Sequence, residues 1–262
     1  MTKSSDIGFR SIESQLEAEG VVILPPMSAV ESAAVLREVG IFPRTTILDP
    51  WYNRGIGGVR EDYVEHQLEI INNVKDLTDH FFFWGFPEIV ALFVNRISAP
   101  LEFVTWLTWY YKNNPSVIRG WRSSQQACLH YAKKTARMYP EHFFNGQQEL
   151  RFESKKMRFV PGPTSVIEEP LLVGFVGKNE QTGHPAQKPE KVYEKLILMT
   201  TKAGDIVFDP MAGSGTTGAV CKNHGRVAIL ADESEEFTTI AEQRLGVSRV
   251  SEQRLLSLKR AA

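Results

Sequence analysis

The sequence has little cysteine, no long apolar run and almost no net charge, and each lack removes a class of protein. Among its 262 residues only Cys128 and Cys221 are cysteines. Two isolated thiols give neither a zinc spacing nor a disulfide framework, which fits a reducing compartment. Both are expected to line the core. No stretch of about 18 apolar residues occurs, so no membrane span is expected. Met1-Thr-Lys-Ser-Ser-Asp6 lacks the apolar centre of a secretory signal, and a cytoplasmic location is the expectation. The formal net charge of −1 excludes a uniformly basic nucleic-acid binder.

The charge that is present is unevenly placed. From Lys112 to Arg158 the cations are Lys112, Arg119, Arg122, Lys133, Lys134, Arg137, Arg151, Lys155, Lys156 and Arg158, against Glu141, Glu149 and Glu153. Such a run usually means a solvated cationic face. On an otherwise neutral chain it also suits a binder of phosphate backbone.

Hydrophobic patterning predicts alternating strands and helices. Strands are expected over 20–24, 45–48, 79–84, 101–109, 126–132, 206–208 and 227–231, and helices over 11–19, 29–39, 67–77, 87–94 and 190–200. That alternation implies a largely parallel sheet with helices on both faces. Residues 135–170 break the pattern into short aromatic and charged pieces, read as a loop-rich insertion in a single domain spanning 1–262. Aromatics interleaved with cations stack bases and bind phosphates, or form a small satellite core.

Chemistry concentrates at three places. Ile206-Val-Phe208 runs into Asp209-Pro-Met-Ala-Gly-Ser-Gly-Thr216, a strand ending in a turn whose glycines let backbone approach a ligand. The next strand ends at Asp232, placed as a ribose-binding carboxylate is in dinucleotide sites. His184-Pro-Ala-Gln-Lys-Pro189 precedes a helix, with Pro189 suited to its first turn and Lys188 set beside free backbone N–H groups where a carboxylate would sit. Thr45-Leu48 leads into Asp49-Pro50-Trp51-Tyr52 and a glycine-rich loop, an acid and aromatics at the carboxyl end of a strand.

In that order the three pieces resemble the β-class amino-group DNA methyltransferases, the adenine-N6 and cytosine-N4 enzymes. Asp49-Pro-Trp-Tyr52 with Asn53 is similar to their catalytic Asp-Pro-Pro-Tyr-Asn. Phe208–Thr217 resembles their S-adenosylmethionine loop, and His184–Pro189 their cofactor-tail motif. Trp106–Pro115 resembles the strand and turn between them. Trp51 replaces the family's second proline, and Met211 stands where phenylalanine is usual.

The resemblance implies a Rossmann-like fold with a mostly parallel seven-stranded sheet, a circularly permuted motif order and target recognition by 135–170. Asp49, Pro50, Trp51 and Tyr52 would then be catalytic. Lys188, Pro189, Asp209, Pro210, Met211, Ala212, Gly213, Ser214, Gly215, Thr216 and Asp232 would bind S-adenosyl-L-methionine. The implied partner is DNA, with base flipping, and a homodimer and a cognate restriction endonuclease are further partners the family admits. No metal is implied. Asp49 followed by Asn53 leans toward adenine N6, because the family tends to use serine at that position for cytosine N4. RNA as substrate and a binding subunit without turnover are the other readings.

Overall fold

The computed structural model describes residues 19–54, 58–114, 117–118 and 120–251. The helix expected over 11–19 lies almost entirely outside them. In chain order the strands are β1 (Val21–Ile23), β2 (Thr45–Leu48), β3 (His80–Gly85), β4 (Leu101–Tyr110), β5 (Val117–Ile118), β6 (Trp121–Arg122), β7 (Gln125–Lys133), β8 (Val166–Glu168), β9 (Ile206–Asp209) and β10 (Val227–Leu230). The α-helices are α1 (Ala29–Glu38), α2 (Tyr63–Val74), α3 (Pro87–Val90), α4 (Gly146–Glu153), α5 (Glu190–Thr200), α6 (Thr216–Asn223) and α7 (Glu235–Leu245).

Eight strands form one sheet in the order β1-β10-β9-β2-β3-β7-β4-β8, and β5 pairs with β6 in a separate ribbon. The sheet has one strand more than expected, because the short β8 adds itself beside β4. Only β7 runs against its neighbours. The Phe81-Phe-Phe-Trp84 run has no polar alternation because both faces of the sheet are covered. Phe81 and Phe83 face the core that holds α1 and α2. Phe82 and Trp84 face the core built with α5, α6 and α7.

Helix boundaries differ from the sequence reading for local reasons. Helix α2 starts at Tyr63, since Tyr63, Gln67, Ile70, Ile71 and Val74 form one buried stripe in which a polar glutamine interrupts the apolar pattern. The helix expected over 87–94 is a single turn followed by further turns. Within 135–170 lies α4, closed by a capping box in which Asn145 and Gln148 satisfy each other's backbone N–H. Helix α7 escaped the sequence reading altogether, although Ser234 caps it and Gly246 ends it in the left-handed region.

Strands β9 and β2 are neighbours, Thr46 pairing with Phe208. From β9 the chain crosses to β10 on one side, and from β2 to β3 on the other. The gap between them is a topological switch point, where open parallel sheets bind ligands at the carboxyl ends of their strands.

Candidate active site

Asp49 stands at the carboxyl end of β2, beside this switch point. Its carboxylate is ringed by donors from distant parts of the chain. Lys188 Nζ lies 2.6 Å from Oδ2, and the Tyr193 hydroxyl donates to the same oxygen at 3.2 Å. The Tyr52 hydroxyl donates to Oδ1 at 2.7 Å and in turn accepts from Lys188 at 2.9 Å. It also lies 3.0 Å from the Gln126 side-chain oxygen. Burial, with Asp49 alongside, drives the Tyr52 hydroxyl well above the usual phenol range, so Tyr52 remains a donor.

The sequence reading set Lys188 beside a cofactor carboxylate; its partner in the structure is Asp49. Lys188 is 4% exposed, and its ammonium lies 5.6 Å from the centre of the Trp84 ring, whose buried indole N–H has no partner. Pro189 occupies the cap position, one residue before α5 rather than inside its first turn. Tyr193 and Gln126 were not recognised in the sequence. Tyr193 reads there as one more apolar-face residue of α5, and Gln126 as the polar start of a strand.

Trp51 and Tyr52 diverge. The Trp51 indole packs edge-on against Tyr63, 5.2 Å between centroids, and donates to Gly58 O at 3.3 Å. Asn53 holds the same loop by a reciprocal pair of bonds with the Arg60 backbone. The tryptophan therefore anchors the loop after β2 on α2. Tyr52 instead packs on Phe86 with its hydroxyl at Asp49. Pro50 between the two aromatics and the strand is buried.

The glycine turn after β9 is built around two carboxylates. Asp209 is buried and accepts from Met211 N at 3.1 Å and Thr217 Oγ1 at 2.5 Å, so it fixes the turn from below. Burial pushes its pKa up to about 7. Pro210 is buried, and Met211 packs from the α1–α2 side. Ala212 N donates to Ala231 O at 2.9 Å, joining the turn to the end of β10. Asp232 accepts from Gly213 N and Ser234 N, each at 2.9 Å, which fixes the carboxylate and leaves a free lone pair on each oxygen. Burial raises its pKa also.

Gly213 has φ of 49°, and a Cβ there would come within 2.9 Å of His184 Nε2. The turn and the His184–Pro189 segment are thus in contact through a position that only glycine fits. Gly218 has the same requirement lower down, where a Cβ would meet Leu245 at 2.7 Å and Leu230 at 2.9 Å. Thr216 Oγ1 donates to Lys188 O at 3.1 Å, tying Gly215 and the start of α6 to the lysine. Arg244 clamps the outside, donating to Thr216 Oγ1 at 3.0 Å and Glu190 at 2.8 Å and reaching Ser214 O and Oγ at 3.3 Å.

All the residues singled out in the sequence thus fall at one end of the sheet, in two linked groups. A bare glycine turn with a carboxylate at the next strand's tip suits a nucleoside, whose ribose hydroxyls Asp232 would bind. The Asp49 group beside it joins one carboxylate to the Tyr52, Lys188 and Tyr193 donors. Both thiols, Cys128 and Cys221, are buried, and burial raises their pKa values. Among the described residues no group of His, Cys, Asp or Glu could hold a metal ion, and no helix is long and apolar enough to cross a membrane.

The 135–170 stretch starts at the opposite edge and returns to the Asp49 edge as β8, beside Thr108–Tyr110. Tyr139 N donates to Met199 O at 2.7 Å, His142 Nδ1 lies 2.8 Å from Leu198 O, and a Cβ on Gly162 would meet the Met199 methyl at 3.3 Å. Residues 139–162 are therefore moored at the last turn of α5. Because β7 is antiparallel, its Lys133 end lies about 26 Å from its Gln125 end.

A mostly parallel sheet with a glycine turn and an Asp-Pro-x-Tyr corner at the ends of adjacent strands is the arrangement of an α/β nucleotide-type transferase. The model of the DNA methylase family matches residues 44–243, more than half of the chain, and the chain belongs to that family. It is 32% identical over 216 residues to the type II methyltransferase M.HpaI of Haemophilus parainfluenzae, covering 76% of this chain and 67% of that one. It is 41% identical over 83 residues to the DNA adenine methyltransferase YhdJ of Escherichia coli (strain K12), covering 31% of this chain and 28% of that protein. Among solved structures the complex of M1.HpyAVI with SAM superposes with a TM-score of 0.66 at 23% identity, covering 87% of this chain and all of that one. That likeness establishes the fold.

Proposed function

We propose that the chain transfers a methyl group from S-adenosylmethionine to the exocyclic N6 of adenine in DNA. The observation that carries this reading is the position of Asp49, an acceptor carboxylate at the end of β2 directly beside the glycine turn of β9. The residues present fit the cofactor: Asp232, held by the Gly213 and Ser234 amides, keeps acceptor capacity for ribose hydroxyls, and glycine at 213 lets the turn lie against His184. When bound, S-adenosylmethionine supplies an electrophilic methyl group on sulfur.

The chain's own work is positioning. An exocyclic amine is a poor nucleophile because its lone pair is delocalised into the ring. Asp49 and the Pro50 carbonyl would accept its two N–H hydrogens and hold the lone pair toward the methyl. Tyr52 would lie against the base, which must leave the duplex to reach this depth. Alignment and fixed dipoles then supply the barrier reduction, with no covalent enzyme intermediate. Lys188, Tyr193 and Tyr52 orient the carboxylate, and exchange of one of these bonds for the amine admits the target.

Adenine is favoured over cytosine N4 by Asp49 in the first position of the corner, and the similarity to a protein named as an adenine methyltransferase supports it. Labelled-methyl incorporation into DNA, followed by nucleoside analysis, tests the reading. The expected product is N6-methyladenine, with Asp49→Ala lowering turnover by orders of magnitude while cofactor affinity persists. Methylation of RNA alone, or near-parental turnover by Asp49→Ala, would sink it.

A further inference from the structure

Between β4 and β7 the chain makes an excursion whose place in the fold is informative. Strand β4 ends at Tyr110 and β7 begins at Gln125, paired with one another, so the β5–β6 ribbon rises from the same edge of the sheet as Asp49. Gln126 is the residue whose side chain meets Tyr52, and five residues of chain can separate Trp121 from it by at most about 18 Å. The base of the ribbon is pinned, since the Arg122 guanidinium donates to Asn114 O at 3.1 Å. Its tip is bare. Gly120 turns the chain with φ of 85°, and the Trp121 side chain beside it is 81% exposed.

Taking the methyltransferase reading above as its basis, we propose that Trp121 is the wedge that enters the DNA base stack when the target base leaves it. Extruding a base costs unstacking and unpairing, and large apolar side chains inserted between base steps offset such costs in proteins that distort DNA. A wedge must be flat, uncovered, mounted on a fixed support and close to the pocket that receives the base. Trp121 is flat and uncovered, its neighbour Arg122 is tied to Asn114 O, and the chain holds it within about 18 Å of Gln126.

The charges around it fit a polyanion. Residues 110–125 contain Lys112, Arg119 and Arg122 and no Asp or Glu, with Lys112 paired to Glu168. The rival at this edge is Phe175, 92% exposed on the turn that follows β8. That turn is joined to the ribbon's base by reciprocal bonds between Asn113 and Leu171. Its neighbours in sequence are Glu168, Glu169 and Glu180 against Lys178, a poorer match to phosphates. The geometry and the charge both favour the ribbon.

The test uses the full chain and a duplex bearing its target sequence, found by sequencing modified DNA from cells that express it. Methylation is compared on the matched duplex and on the same duplex with the target base mismatched, which is cheaper to extrude. Trp121→Ala should lose at least about tenfold in turnover on the matched duplex, the scale of one base–aromatic stack, and recover most of it on the mismatch. It should also abolish the fluorescence rise of 2-aminopurine placed at the target. Trp121→Phe should restore part of both. Equal losses on the two duplexes, no loss on either, or transfer of the whole effect to Phe175→Ala would each overturn the assignment. Methylation of the matched duplex by the parent chain reports on the proposed function separately, so the two failures are distinguishable.

Discussion

Lys188 and Asp49 form an ion pair of 2.6 Å between residues 139 positions apart in the chain, inside the site and almost out of contact with water. Breaking a buried pair on one side leaves an uncompensated charge, at a cost of about 3–5 kcal/mol. Lys188→Met should therefore lower thermal stability as well as turnover. Adding Asp49→Asn to it should restore much of the stability, because the lone buried charge is then gone, while activity stays lost. A double-mutant cycle by calorimetric unfolding reads this directly, and strictly additive losses would show that the two side chains act independently.

Asp232 touches the glycine turn through Gly213 N but fills little of the core. Asp232→Ala should weaken S-adenosylmethionine binding by at least about tenfold, as expected from the loss of charge-assisted hydrogen bonds, in a protein that still folds. Titration calorimetry on the variant, with circular dichroism as the folding control, decides it. Unchanged affinity in a folded variant would remove Asp232 from the cofactor site.

The exposed cations Lys155, Lys156 and Arg158 lie in the stretch moored at the far edge from Asp49. Neutralising all three should weaken duplex binding and flatten its dependence on salt, since fewer counterions are then released. Cofactor affinity and the 2-aminopurine signal should not change, because neither depends on this segment. A parental salt slope in the triple variant would mark these cations as a solvated face and leave DNA contact to the catalytic edge.

His80 and His130 form a buried pair with 3.2 Å between Nδ1 and Nε2. His80 Nε2 lies 3.0 Å from Arg137 O and donates to it, so His130 supplies the proton between the rings. Burial holds His80 down at about 4 and His130 at about 3. Once unfolded, both return to about 6.5 and take up protons below it. Their contribution to stability is thus complete above pH 6.5 and is lost as pH falls toward 4. His130→Gln keeps a donor toward His80 and removes one titrating ring, so the urea midpoint should fall less steeply across that window. An unaltered slope would place the acid sensitivity in other groups.

What the sequence determined by itself is local. The all-apolar runs marked buried strands, the Asp-Pro corners marked where they end, and glycine at 213 and 215 marked a tight turn. These follow from backbone sterics and from the periodicity of burial, which act over a few residues. The family was legible for the same reason, since its motifs are contiguous. Tertiary structure alone decided who meets whom. Thr46 against Phe208 makes β2 the neighbour of β9, and that pairing brings Asp49 to Lys188. No local rule selects a lysine's partner when the nearest carboxylates in sequence are Glu190 and Glu194. Trp51 and Tyr52, adjacent in the chain, point to opposite neighbours because α2 offers Tyr63 to one and Asp49 offers its carboxylate to the other. The antiparallel direction of β7 set the cationic stretch at the far edge of the sheet and left Trp121 at the near one, which follows from strand direction and is invisible in composition.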